Sequence, residues 1–123
     1  MSTADIISVH CPLTPHTENL FNLETFKCMK NSAIVINTAR EAVINEADLC
    51  QALNEEMIAG AAIDVLATEP PTRNHPYLKL LSRPNFILTP HIVWASNEAM
   101  QTLSNQLIEN IENFVGGNAS NLV

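Results

Sequence analysis

Glycine is scarce in this chain: only Gly60, Gly116 and Gly117 occur. No GxGxxG fingerprint or phosphate-binding loop can therefore be written anywhere in it. Basic residues are few as well. Six Lys and Arg stand against 13 Asp and Glu, for a net charge of -7, which argues against nucleic acid or an anionic membrane as partner. No apolar run approaches the roughly 20 residues of a membrane span. The opening Met1-Ser2-Thr3-Ala4-Asp5 lacks a basic and then apolar leader, so no signal peptide is expected. Cys11, Cys28 and Cys50 are widely spaced and form no CxxC pair. They read as buried free thiols of a reducing compartment, with no metal site and the cytoplasm as default location. What is present is apolar: 46% of the 123 residues are hydrophobic and 15% charged, enough for one globular domain with a core.

The apolar residues fall into short runs separated by helical patterns. Ala33 to Ile36 is apolar without alternation, as in a strand buried on both faces of a parallel sheet. Ile6–Val9, a segment within Met57–Val65, and Phe86–Leu88 read as three more strands. Pro12 stops the first. Between them lie a short helix from Leu23 to Met29, a helix from Glu46 to Leu53 capped by Asn45, and a short helix from Pro76 to Leu81. Gly60 and its neighbouring alanines indicate close helix–sheet approach. Ser96 or Asn97 caps a long last helix that Gly116-Gly117 ends. Met100, Leu103, Leu107, Ile111 and Phe114 share one face of it, which reads as a core-facing stripe. The order is β-α-β-α-β-α-β-α, with no repeat and no internal linker. It predicts an α/β fold, a parallel sheet with right-handed crossovers and helices on both faces.

Arg40, Glu69 and His91 follow three successive strands and so belong on one edge of the sheet, where open α/β sheets place ligands. Together they suit proton-coupled chemistry at a carbonyl. Arg40 would grip a carboxylate, His91 would serve as acid or base, and Glu69 would favour the imidazolium. Singly, each also reads as an ordinary loop residue: a solvated arginine, a solvated acid and a histidine bonded to backbone.

The segments Ala4–Thr14, Ile36–Arg40, Ile58–Val65, Glu69–Pro71 and Pro84–His91 resemble, in order and spacing, the D-isomer-specific 2-hydroxy-acid dehydrogenases. The stretch Thr89–Ser96 looks most like the glycerate dehydrogenase (hydroxypyruvate reductase) branch. The resemblance implies a Rossmann-like domain that reduces a small 2-oxo acid with NAD or NADP. It implies that His91 donates the proton, that Glu69 holds its imidazole, and that Arg40 binds the substrate's carboxylate and carbonyl. Asp64 matches the residue that contacts the nicotinamide amide. His10, Pro12, Leu13, Thr14, Thr38, Ala39, Arg40 and His91 match other cofactor-lining positions.

Two departures bear on this reading. The family usually has glycine after the catalytic arginine, where Glu41 stands here. A side chain there is expected to strain a turn that prefers glycine and to set a negative charge beside Arg40. The glycine-rich loop and nearly all of the substrate domain also have no counterpart. The chain is therefore expected to be the second half of a nucleotide-binding domain, about four strands, inactive alone and part of a homodimer. The alternative is a free-standing, non-catalytic interaction domain on a dehydrogenase scaffold.

Overall fold

The computed structural model describes residues 1–122, which divide into two compact units: Met1–His91, and a second beginning at Ile92. In the first unit four short strands, β1 (Ile6–Val9), β2 (Ile34–Asn37), β3 (Gly60–Ile63) and β4 (Phe86–Leu88), form one sheet in the order β1-β2-β3-β4. All three pairings are parallel. The crossovers carry helix α1 (Leu23–Lys27), helix α2 (Glu46–Asn54) and a 3-10 helix (Pro76–Leu80).

Register explains the core. Ile7, Val35, Ala61 and Phe86 lie in one row across the sheet, and Val9, Asn37, Ile63 and Leu88 in the next. These rows pack with Phe26 of α1, Leu49 and Leu53 of α2, and Tyr77 and Leu80 of the 3-10 helix. The opposite face behaves differently. Ile6, Ile34 and Ile87 are exposed there, so within this unit helices cover one face, not both. The physical reason is topological: crossovers between successive neighbouring strands, all of one hand, put every helix on the same side. For the same reason Ile34, read as buried, is open to solvent.

The helices start where local chemistry dictates. Asn22 caps α1 through bonds from the Glu24 and Thr25 amides, and Thr25 returns the bond to the Asn22 amide, a capping box. Asn45 caps α2 by accepting from the Asp48 amide at 3.1 Å. The last element before β4 is a 3-10 rather than an α-helix, begun by Pro76. Cys28 is exposed and Cys11 and Cys50 are half-buried, in contrast to the expected buried set. Burial pushes the Cys50 thiol up to about 11, so it stays protonated.

Gly60 has a close neighbour, but it is backbone rather than a helix. A Cβ on Gly60 would stand 2.8 Å from the Asn85 carbonyl oxygen, which accepts the Ala61 amide at 3.0 Å in the β3–β4 ladder. Gly60→Ala is expected to destabilise the chain by about 1–3 kcal/mol, the usual cost of overpacking. Thermal unfolding followed by circular dichroism checks this, and an unchanged Tm would contradict it.

The second unit holds helix α3 (Asn97–Val115), capped by Ser96 through the Ala99 amide. Its apolar stripe is present but exposed. Leu103, Leu107, Ile111 and Phe114 are each more than half accessible, and no residue of α3 is buried. A helical period identifies the apolar face; it does not supply what covers it. No helix of the described residues is long and apolar enough to cross a membrane.

Candidate active site

The carboxyl ends of the four strands lie along one edge, and each is followed by a residue of the expected site. After β1, His10 bonds through Nε2 to Ser8 Oγ at 2.7 Å. The Pro12-Leu13-Thr14 turn is braced by Thr17: its hydroxyl donates to the Pro12 carbonyl at 2.7 Å and accepts the Thr14 amide at 2.8 Å. Leu13 is left exposed on that turn.

After β2 the chain turns on Asn37, whose side chain is buried. Asn37 Oδ1 accepts the Ala39 amide at 3.0 Å, and Nδ2 donates to the Arg40 carbonyl at 2.9 Å. This Asx-type turn fixes Thr38, Ala39 and the Arg40 backbone. The Arg40 side chain is exposed and donates from Nη1 to the Ala39 carbonyl at 2.7 Å. It makes no ion pair with Glu69 or with Glu41 among the described residues. Glu41 begins a 3-10 turn (Glu41–Val43) and is not among the residues of positive φ. The side chain there therefore causes none of the strain expected from the missing glycine. It lines an open groove of about 360 Å³ with Glu46, Ala67 and Pro76, which neither Arg40 nor His91 borders.

After β3, Asp64 is buried. Its Oδ1 accepts the Thr89 hydroxyl, and its amide donates to the Asn37 carbonyl at 2.9 Å. Asp64 is thus tied to the strand-end segments on both sides. The loop continues to Glu69, which the structure joins to His91. His91 Nδ1 and Glu69 Oε2 are 2.9 Å apart, and both side chains are more than a third exposed. His91 adopts φ 55°, the left-handed region. Such a conformation in a non-glycine residue persists where surrounding contacts hold it, and it recurs at functional sites.

Glu69 Oε1 also accepts the Leu66 amide at 2.9 Å. That bond first, and the His91 bond second, hold the Glu69 carboxyl below its ordinary range. A carboxyl so depressed contributes stability that is complete above its unfolded value and is lost as pH falls through the folded value. The Leu66 amide signal should therefore titrate with a midpoint below about 4.3, the ordinary glutamate value. Heteronuclear NMR over an acid titration measures this. A midpoint at or above the ordinary value would contradict the bond.

Four residues receive no site role from the sequence: Asn37, Thr89, Glu46 and His75. Asn37 gives one hint, a polar residue ending an apolar strand. Glu46 reads from sequence only as an acid in a first helical turn, and its pairing with the distant His75, 3.1 Å apart, appears only in three dimensions.

The chain has close counterparts among known proteins. Residues 1–93 match the family model described as "D-isomer specific 2-hydroxyacid dehydrogenase, NAD binding domain". The whole chain is 49% identical to 39% of the glycerate dehydrogenase of Methylorubrum extorquens. It is 41% identical to 37% of the hydroxypyruvate reductase of Blautia hydrogenotrophica. The crystal structure of D-lactate dehydrogenase with NAD+ from Lactobacillus jensenii superposes with a TM-score of 0.87 at 32% identity, covering 98% of this chain and 39% of that one. The chain thus spans about two fifths of the length of these relatives. A parallel sheet with these strand ends, matched over most of its length by that model, belongs to the D-isomer-specific 2-hydroxyacid dehydrogenase family, in its NAD-binding domain.

Proposed function

We propose that this chain carries the catalytic edge of an NAD(P)-dependent reductase of a small 2-oxo acid, in the manner of a glycerate dehydrogenase (hydroxypyruvate reductase). The observation that supports it most is the His91–Glu69 bond of 2.9 Å, on the sheet edge from which Arg40 also emerges. His91 donates the proton to the carbonyl oxygen. Glu69 fixes its ring through Nδ1. Arg40 is exposed and holds the substrate carboxylate with its planar fork. The nicotinamide cofactor, when bound, supplies the hydride.

The residues present fit one end of that cofactor. Asp64 sets a buried carboxylate at the strand ends, an acceptor of the kind a carboxamide N–H requires. His10, Pro12, Leu13, Thr14, Thr38, Ala39, Arg40 and His91 line the same edge. The pyrophosphate end is a different matter, since none of the three glycines lies in a phosphate-binding loop. In this reading the 123 residues are the second half of a nucleotide-binding domain, and catalysis requires the rest of such an enzyme. The test is NADH consumption by a complete enzyme carrying these residues, offered hydroxypyruvate, glyoxylate and pyruvate. A highest kcat/KM for hydroxypyruvate is expected, and no turnover of any 2-oxo acid would contradict the proposal.

The chain is further proposed to be cytoplasmic, in keeping with its three free thiols, and to form a homodimer. Strand β1 is an edge of the sheet without lysine or proline, and α3 exposes a continuous apolar stripe; either can pair with a copy of itself. Sedimentation equilibrium should find self-association at high micromolar concentration. A monomer there would contradict it.

A further inference from the structure

The loop that carries Glu69 is held from outside by a second carboxylate. Glu46 stands in the first turn of α2, and both of its oxygens reach across to that loop. Oε1 accepts the Ala67 amide in a long bond of 3.4 Å. Oε2 lies 3.1 Å from Nε2 of His75, a residue only 8% exposed. The tautomer follows from the other ring nitrogen. His75 Nδ1 accepts the Tyr77 amide at 3.3 Å, so Nε2 carries the hydrogen and donates it to Glu46. One carboxylate therefore grips the segment Ala67–His75 at both ends. Glu69 lies between them, and its own Oε1 takes the Leu66 amide at 2.9 Å. Two carboxylates, one from the helix and one from the loop, thus seize the consecutive amides of Ala67 and Leu66.

We infer that Glu46 is a positioning residue: by clamping Ala67 and His75 it sets the loop that aims Glu69 at His91. The inference rests on the reading of Glu69 and His91 as the proton-donating pair. A carboxylate is required at position 46 because both donors need an acceptor, and an amide offers only one oxygen. Glu46→Gln must therefore release one end of the loop, although its shape is nearly unchanged.

The ring signals of His91 report the effect without any turnover. In the 15N-labelled chain the four histidines are assigned by single substitution, and His91 is followed in Glu46→Gln, Glu69→Gln and the double variant. Glu46→Gln should move the His91 signals in the direction that Glu69→Gln moves them, and should add nothing in the Glu69→Gln background. It should also speed exchange of the Leu66 and Ala67 amides on the order of tenfold, while protection within α2 stays as in the unmodified chain. His75→Leu keeps the buried volume but removes both the Nε2 donor to Glu46 and the Nδ1 acceptor of the Tyr77 amide. It should shift His91 in the same direction by less, and it answers the question if Glu46→Gln fails to fold. His91 signals unmoved by Glu46→Gln or His75→Leu, yet moved by Glu69→Gln, would overturn the clamp and leave the His91–Glu69 pair standing. Signals unmoved by Glu69→Gln as well would overturn both.

Discussion

His91→Ala, in a complete enzyme carrying these residues, is expected to lower kcat by about 10²–10⁴-fold, the usual range for loss of a positioned general acid. The effect should fall on kcat rather than KM. His91 is fixed at one ring nitrogen by Glu69, whereas the side chain proposed to hold the substrate carboxylate, Arg40, bonds to the Ala39 carbonyl on a different loop. Alanine at position 91 leaves the Asn37-built turn beneath Arg40 untouched. Initial rates from NADH absorbance over a range of 2-oxo acid concentrations separate the two constants. A raised KM with kcat intact would reassign His91 from chemistry to binding.

The isolated chain, by contrast, should give no measurable turnover of hydroxypyruvate or glyoxylate with NADH. The reason lies in what its three glycines do. Gly60 abuts the Asn85 carbonyl in the sheet, and Gly116 and Gly117 end α3. None remains to let backbone approach a pyrophosphate. Without that anchor the nicotinamide is not held in near-attack geometry, and orientation of this kind accounts for about 7–11 kcal/mol of a barrier. That is a larger effect than loss of any single side chain. Brisk NADH consumption by the pure chain would contradict the proposal that the 123 residues need the rest of an enzyme.

How much of this was legible in the sequence differs by element, for physical reasons. Strands β1 and β4 begin and end as read from the sequence, and Pro12 keeps the chain after β1 from continuing the ladder. The Asn45 and Ser96 caps hold because capping is local chemistry. Strand β2 extends one residue beyond its apolar run, to Asn37. A polar side chain can end a strand in the core when the turn it builds satisfies both its amide atoms. Burial was the poorer guide. Ile34, and the stripe of α3, are apolar by pattern and exposed in the structure, since a pattern names a face and not its cover. The site divides in the same way. Strand-end logic placed Glu69 and His91 on one edge, and they meet there. It also placed Arg40 there, but a strand end does not dictate where a long flexible side chain lies, and the guanidinium rests on its own loop. The Glu46–His75 pair was invisible, because neither residue sits in a motif and only the packing of α2 against the 3-10 helix joins them.

His91, held by Glu69, is proposed to supply the proton to a 2-oxo acid. The most direct test is the kcat of the complete His91→Ala enzyme measured with and without added imidazole. An external imidazole that enters the space left by the ring should restore part of the lost kcat, rising with the concentration of its protonated form, and should do nothing for the unmodified enzyme. A kcat that His91→Ala leaves unchanged, or a loss that imidazole never relieves while the variant still binds cofactor and substrate, would contradict it.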